Sequence, residues 1–148
     1  MNGAVRRAAW VAAILFLCAG QAAARNTFHD FDAAKAKAEG SGRENLLDAP
    51  VHLAGETHAD VAIDLGTFRT NKRTNAANKS DEAACQIAFL SALISLQSRT
   101  RALGGDAVVD VRSITKHNDL TSATQYRCLA GAFVANVALE GRIVKLKK

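Results

Sequence analysis

Aromatic residues and prolines are scarce in this 148-residue chain. Aromatic side chains make up 5% of the residues, and Pro50 is the only proline. The formal net charge is +5, and the Lys and Arg residues are spread along the chain, with one modest cluster between Arg142 and Lys148. Proteins that bind nucleic acid usually carry a denser basic stripe interleaved with aromatic residues. The composition therefore predicts no nucleic-acid partner.

The chain also lacks the glycine-rich loop that holds phosphates in ATPases. Lys79 and Ser80 precede a predicted helix, as the Lys-Ser pair of a phosphate-binding loop does. However, Thr, Ala and Asn stand where that loop needs glycine to curl around phosphates. The G-x-S-x-G elbow of many hydrolases is absent as well. We therefore expect no ATPase and no cofactor, and a hydrolytic enzyme ranks third among the functions considered.

Only one long hydrophobic run is present, and it lies at the N-terminus. Ala8–Ala19 is almost entirely apolar, follows Arg6 and Arg7, and precedes the small residues Ala22–Ala24. The run covers about 12 residues, whereas a membrane-spanning helix needs about 20. This arrangement predicts a signal peptide over 1–24 and a mature protein that begins near Arg25. We expect a periplasmic or secreted protein with no integral membrane segment after cleavage.

Two other interpretations of the N-terminus are a membrane anchor and a lipoprotein. The length of the apolar run disfavours the anchor. Lipidation would need Cys18, but the bulky Leu17 stands where lipidation signals carry a small residue.

Cysteine is rare, and removal of the signal peptide leaves an even number. Of the three cysteines, Cys18 is in the signal peptide, and Cys85 and Cys128 remain in the mature chain. In an oxidising compartment, an even pair predicts a disulfide. Free buried thiols and metal ligation are the alternatives.

The four histidines show no metal-ligand spacing such as H-x-x-x-H. His52 and His58, with Gly55 and Glu56 between them, form the densest candidate group for metal binding, because a turn at the glycine would bring the two imidazoles together. A polar surface turn is the alternative explanation.

The pattern of the chain predicts one α+β domain over 50–148, preceded by a poorly patterned lead-in over 25–49. In the lead-in, a short helix is predicted from Phe28 to Glu39. The strongest prediction is a helix at about 81–103, with Ser80 as N-cap and Gly104-Gly105 at its C-terminus. Two apolar rows on this helix suggest that it is covered on two sides, by the N-terminal segment or by another subunit.

Strands are predicted on either side of the helix. Short strands are expected at 51–54 and 61–70, a loop at 71–79, and a strand at 106–116 joined by a hairpin to a long strand at 123–139 that bends at Gly131. A turn at Glu140-Gly141 then leads to an edge strand over 142–146. The predicted fold is a mainly antiparallel sheet of about four to five strands, with the long helix packed on one face.

Several segments resemble one family of small exported bacterial proteins. They are G-T-F-R-T-N-K-R-T-N at 66–75, K-S-D-E-A-A-C at 79–85, L-G-G-D-A-V-V at 103–109 and Y-R-C-L-A-G-A at 126–132. Members of this family often carry the label "excinuclease ATPase subunit", whose true bearers have phosphate loops and Cys-x-x-Cys zinc motifs that this chain lacks. More distantly, the helix–strand pattern is similar to YbjQ-like heavy-metal-binding proteins and to the Rcs envelope-stress lipoprotein. The resemblance implies the fold and no catalytic residue.

Together these features predict a non-catalytic, envelope-associated binding or stress-response module. The alternative is a periplasmic metal-binding protein that uses His52 and His58. The expected partner is an envelope protein, a small ligand or a second copy of the chain.

Overall fold

The computed structural model describes residues 25–148, so the predicted signal peptide, 1–24, lies outside the described residues. Within residues 25–148 the protein has an α+β fold of six strands and two α-helices, which confirms the predicted fold class. The elements are β1 (Asn26–Asp32), α1 (Ala33–Glu39), β2 (Val51–Leu53), β3 (Val61–Asn75), α2 (Asp81–Ala102), β4 (Ala107–Ser113), β5 (Gln125–Gly131) and β6 (Val134–Leu146). None of the described helices is long and apolar enough to cross a membrane.

The centre of the sheet is β6, which pairs antiparallel with β3, β4 and β5. β4 and β5 lie along the same side of β6, at opposite ends of it. β1 extends the sheet by antiparallel pairing with β5, and β2 extends it by the one parallel pairing, with β4, among the described strands. The predicted hairpin between β4 and β5 is therefore wrong, because both strands pair with β6.

Two glycines in this region have roles different from those predicted. Gly131 ends β5, and the chain turns at Ala132 and Phe133 into β6, so 123–139 is not a single bent strand. Gly141 is not in a turn, since β6 continues through it to Leu146 at the centre of the sheet. A Cβ on Gly141 would lie 2.7 Å from Val108 Cγ1, so the glycine allows β4 to pack closely.

β3 is longer than predicted. It continues to Asn75 through a segment with the composition of a loop, because residues 67–75 pair in continuous register with β6. Tertiary pairing here outweighs weak local strand propensity.

α2 covers one face of the sheet. Ser80 caps it by accepting a hydrogen bond from Ala83 N at 3.1 Å, and Gly104 follows its C-terminus with φ +66°. The buried helix residues Cys85, Phe89 and Leu93 pack into the core formed with the sheet. The sulfur atoms of Cys85 and Cys128 are at disulfide distance, which joins α2 to β5 as predicted.

The N-terminal segment covers a second side of α2. The Gln97 amide group donates hydrogen bonds to Leu47 O and Ala49 O, both at 2.8 Å, and accepts one from Leu47 N at 2.9 Å. The predicted helix at 28–39 is instead a strand followed by a helix that Asp32 caps by accepting from Lys35 N. The first half of the segment predicted as a helix is a strand because it pairs, as β1, with β5.

Candidate functional site

We call the face of the sheet opposite α2 the open face. A small buried apolar cluster of Ala107, Val109 and Val144 lies at one end of it, and one half of the rest carries paired charges. Strand alternation places Arg69, Glu140, Arg112 and Arg142 on this face, because directly paired residues share a side. The ion pairs are Arg69–Glu140, Arg112–Glu140, Arg112–Asp119, Arg142–Asp64, Arg142–Asp110 and Arg127–Asp30. These pairs neutralise one another, so this half of the face offers little net charge to a ligand.

Glu140 is the most constrained acid of this network. Its carboxylate accepts hydrogen bonds from Arg69 Nε at 2.5 Å and Arg112 Nη2 at 2.8 Å. The hydrogen bonds from Arg69 and then Arg112 hold the pKa of Glu140 below its ordinary value of 4.5.

The other half of the open face contains a cleft of about 420 Å³ with unpaired cations. We call it the cationic cleft and define it by Arg73, Lys116, His117 and Asn136, with Arg69 at its border. Arg73 and Lys116 form no salt bridge with any residue in 25–148. The cleft therefore has a positive charge that the described acids do not neutralise.

The Lys116 side of the cleft is positioned by a buried threonine. Thr115 Oγ1 accepts from Ala138 N at 3.0 Å and donates to Arg127 O at 3.2 Å, and Ile114 N donates to Ala138 O at 2.9 Å. These bonds hold the turn after β4 against β5 and β6.

Lys116 and His117 both have left-handed backbone, with φ +53° and +57°. This conformation is uncommon for residues other than glycine and costs on the order of 1–3 kcal/mol per residue. Such strain concentrates at functional sites, where the surrounding structure imposes it. In this protein the strained turn presents the side chains of Lys116 and His117 to the cleft.

The β-sheet side of the cleft is rigid. Arg73 and Asn136 are directly paired on β3 and β6. Asn136 is buried, and its amide donates to Asn71 Oδ1 and to Lys72 O. The orientation of this amide is therefore determined by the sheet, and Arg73 extends from a paired strand.

The structure brings His52 and His58 together, with ring centroids 5.6 Å apart. His58 Nδ1 lies 2.8 Å from Ala59 O, so it acts as donor there and leaves Nε2 available to a metal. Glu56, the acid between them, accepts from Leu53 N at 2.5 Å and stabilises its own turn. Among the residues that the structure describes, no group of three or more His, Cys, Asp or Glu residues could hold a metal ion.

In the Lys79-Ser80 motif, the serine has a structural role. Ser80 Oγ is the N-cap acceptor of α2, and Ser91 Oγ on the helix donates to Ile87 O at 2.8 Å. Both hydroxyls are thus engaged by the helix backbone.

Arg73, Lys116 and Asn136 are not among the site residues predicted from the sequence. The composition of 71–79 predicts a loop that includes Arg73, although Arg69, Asn71 and Arg73 alternate as on one face of a strand. Nothing in the sequence marks Lys116 as a site residue. The left-handed backbone that presents its side chain is usually signalled by a glycine, and here the residue is a lysine.

Comparison of the chain with protein-family models, with curated proteins and with solved structures found no match.

Proposed function

We propose that this protein is an exported, non-catalytic binding module of the cell envelope, and that it binds an anionic ligand in the cationic cleft. The observation that carries the proposal is the presence of Arg73 and Lys116 in one cleft without an acidic partner among residues 25–148. Guanidinium and ammonium groups form charge-assisted hydrogen bonds with phosphate and carboxylate groups.

Export is supported by two features. The N-terminal sequence has the charged, apolar and small-residue regions of a signal peptide in the right order. The Cys85–Cys128 pair at disulfide distance suits an oxidising compartment. Mass spectrometry of the protein expressed with its full sequence tests this part of the proposal, and the expected N-terminus is Arg25 without lipid.

Calorimetric titration of the processed protein with inorganic phosphate and with citrate tests the cleft. We expect saturable binding that weakens as salt is added, because screening reduces exposed charge interactions. The variant Arg73→Gln/Lys116→Gln should lose binding at least tenfold. The matched control Lys37→Gln/Lys148→Gln removes the same charge elsewhere and should bind like the wild type.

Equal binding by both double variants would refute the assignment of the site to the cationic cleft. Absence of binding to either anion would refute the proposed function itself. Circular dichroism of each variant establishes that the fold is kept.

A second candidate function, metal binding, is favoured by the 5.6 Å separation of the His52 and His58 rings. Imidazole is a common ligand of Zn²⁺ and Cu²⁺. Two protein ligands would leave the remaining positions to water or to a second copy of the chain. We expect Zn²⁺ to raise the melting temperature of the wild type and of His117→Ala, but not of His52→Ala/His58→Ala; an equal response of all three would refute this candidate.

A further inference from the structure

Large apolar side chains are exposed together at one end of the sheet. Phe133 is 75% exposed, Val134 is 48% exposed and Phe28 is 38% exposed, and these are three of the five exposed large apolar residues in 25–148. Phe133 and Val134 lie at the turn between β5 and β6, and Phe28 pairs with Leu129 of β5. We call Phe133 and Val134 the apolar tip. Single exposed apolar residues are normal on protein surfaces, but a cluster of them marks an interaction surface.

Backbone hydrogen bonds hold the apolar tip in place. Ala76 N, just after β3, donates to Phe133 O at 2.8 Å, and Ala130 pairs with Ala135 across the hairpin. The exposed Phe133 ring is thus presented by a paired hairpin that also contacts the end of β3.

The apolar tip adjoins the cationic cleft. Arg73, Phe133 and Val134 line one shallow groove, and Arg73, Lys116, Val134 and Leu129 line a second. Arg73 also lines the cationic cleft itself, so the apolar and cationic groups form one continuous surface.

From this surface we propose that the apolar tip docks on an anionic lipid bilayer, with Phe133 and Val134 entering the boundary between headgroups and acyl chains. Arg73 and Lys116 contact the lipid phosphates. This inference rests on the proposed function, because it names the lipid phosphate as the anion that the cleft binds. An apolar group next to cations matches the layered chemistry of an anionic membrane surface.

Co-sedimentation of the processed protein with lipid vesicles tests the inference. We expect binding to vesicles of phosphatidylcholine and phosphatidylglycerol in a 3:1 ratio, and little binding to phosphatidylcholine alone. Phe133→Ser should weaken binding roughly tenfold or more, since burial of a Phe side chain supplies a large share of such affinity. Loss of Arg73 or Lys116 should weaken it roughly fivefold for each cation.

Ile63→Ser is the matched control for Phe133→Ser. Ile63 is 52% exposed and lies at the other end of β3 from the apolar tip. Ile63 pairs with Lys145, whereas Asn75, at the far end of β3, pairs with Val134. This variant loses a similar exposed apolar group and should bind vesicles like the wild type.

A spectroscopic variant gives a second readout. The one tryptophan of the chain is Trp10, within 1–24, so Phe133→Trp gives the processed protein a single tryptophan, whose emission can be excited selectively. Its emission should shift to shorter wavelength on addition of anionic vesicles, and the absence of a shift would contradict insertion of the tip.

The outcomes separate this inference from the proposed function. Binding of free phosphate without binding of anionic vesicles overturns the membrane inference and leaves the cationic cleft as an anion site. The membrane inference is also overturned if neither Phe133→Ser nor Ile63→Ser changes vesicle binding. Absence of binding to both phosphate and vesicles overturns both proposals.

Discussion

Cys85 in α2 and Cys128 in β5 lie with their Cα atoms 5.8 Å apart and their sulfur atoms at disulfide distance, 43 residues apart in sequence. Both side chains are fully buried in the core. A crosslink across this many residues lowers the entropy of the unfolded chain by an amount worth about 4 kcal/mol in the chain-entropy estimate. Typical domains have a total stability of about 5–15 kcal/mol, so this contribution is large.

Reduction should therefore lower the melting temperature markedly. Thermal unfolding with and without reductant checks this, and Cys85→Ala/Cys128→Ala should be destabilised and insensitive to reductant. Two free thiols in the denatured, unreduced processed protein would contradict the disulfide, and a covalent dimer on a non-reducing gel would place it between chains.

Tyr126 stacks on Phe89 beside the disulfide, with ring centroids 3.9 Å apart and an interplanar angle of 8°. Its hydroxyl is buried without a hydrogen-bond partner among the described residues, and burial raises the pKa of Tyr126 above its ordinary value. A buried hydroxyl without a partner costs about 1–3 kcal/mol. We expect Tyr126→Phe to leave stability unchanged or to increase it, whereas Phe89→Ala should cost about 3–5 kcal/mol.

Denaturant unfolding measures both effects. Because Tyr126 is the only tyrosine, its ultraviolet absorbance also reports its ionisation directly, and this should require a pH well above 10 or unfolding of the protein. A loss of more than 1 kcal/mol in Tyr126→Phe would show that the hydroxyl has a partner.

Glu140 should make stability fall in acid. Its pKa in the folded protein is lowered, first by the hydrogen bond from Arg69 and then by that from Arg112, so the folded state binds its proton less readily than the unfolded state. The stabilisation from Glu140 is therefore complete above about pH 4.5 and is lost as the pH falls through the folded pKa. Glu140→Gln should be less stable at neutral pH and should show a smaller decline in acid. Urea midpoints between pH 7 and pH 3 test this, and parallel curves for the two proteins would contradict it.

Gly141 provides a test of the continuous β6. A Cβ there would lie 2.7 Å from Val108 Cγ1 and 2.9 Å from Val111 Cγ2. Gly141→Ala should therefore destabilise the protein by about 1–3 kcal/mol through overpacking. The control Gly42→Ala has no atom within 4 Å of its new Cβ and is affected only through its positive φ of +97°. If Gly141 instead lay in an exposed turn, its substitution would not clash with β4.

Local sequence signals correctly predicted the parts of the fold that depend on short-range interactions. Ser80, the acidic first turn and Gly104 gave the bounds of α2 to within one residue, because capping is a short-range interaction. The Cys85–Cys128 pairing followed from the number of cysteines and the expected compartment.

The wrong predictions all concern long-range pairing. Glu140-Gly141 has the composition of a turn, but packing against Val108 and Val111 selects the glycine. The first half of the lead-in became β1 because β5 pairs with it over seven residues.

The candidate site was only partly predictable for the same reason. His52 and His58 are near in sequence and a turn joins them, so their proximity could be predicted. Arg73 and Lys116 are 43 positions apart, and only the pairing of β3 with β6 and the turn at Thr115 bring them into one cleft.

The most direct test of the central claim is a nuclear magnetic resonance titration of the processed, ¹⁵N-labelled protein with inorganic phosphate. Binding in the cationic cleft predicts saturable shifts of the amide signals of Arg73, Lys116, His117 and Asn136. The signals near the paired cation Arg142 should not move. Shifts that spread evenly over all surface lysines and arginines, or no saturable shift at all, would contradict the account.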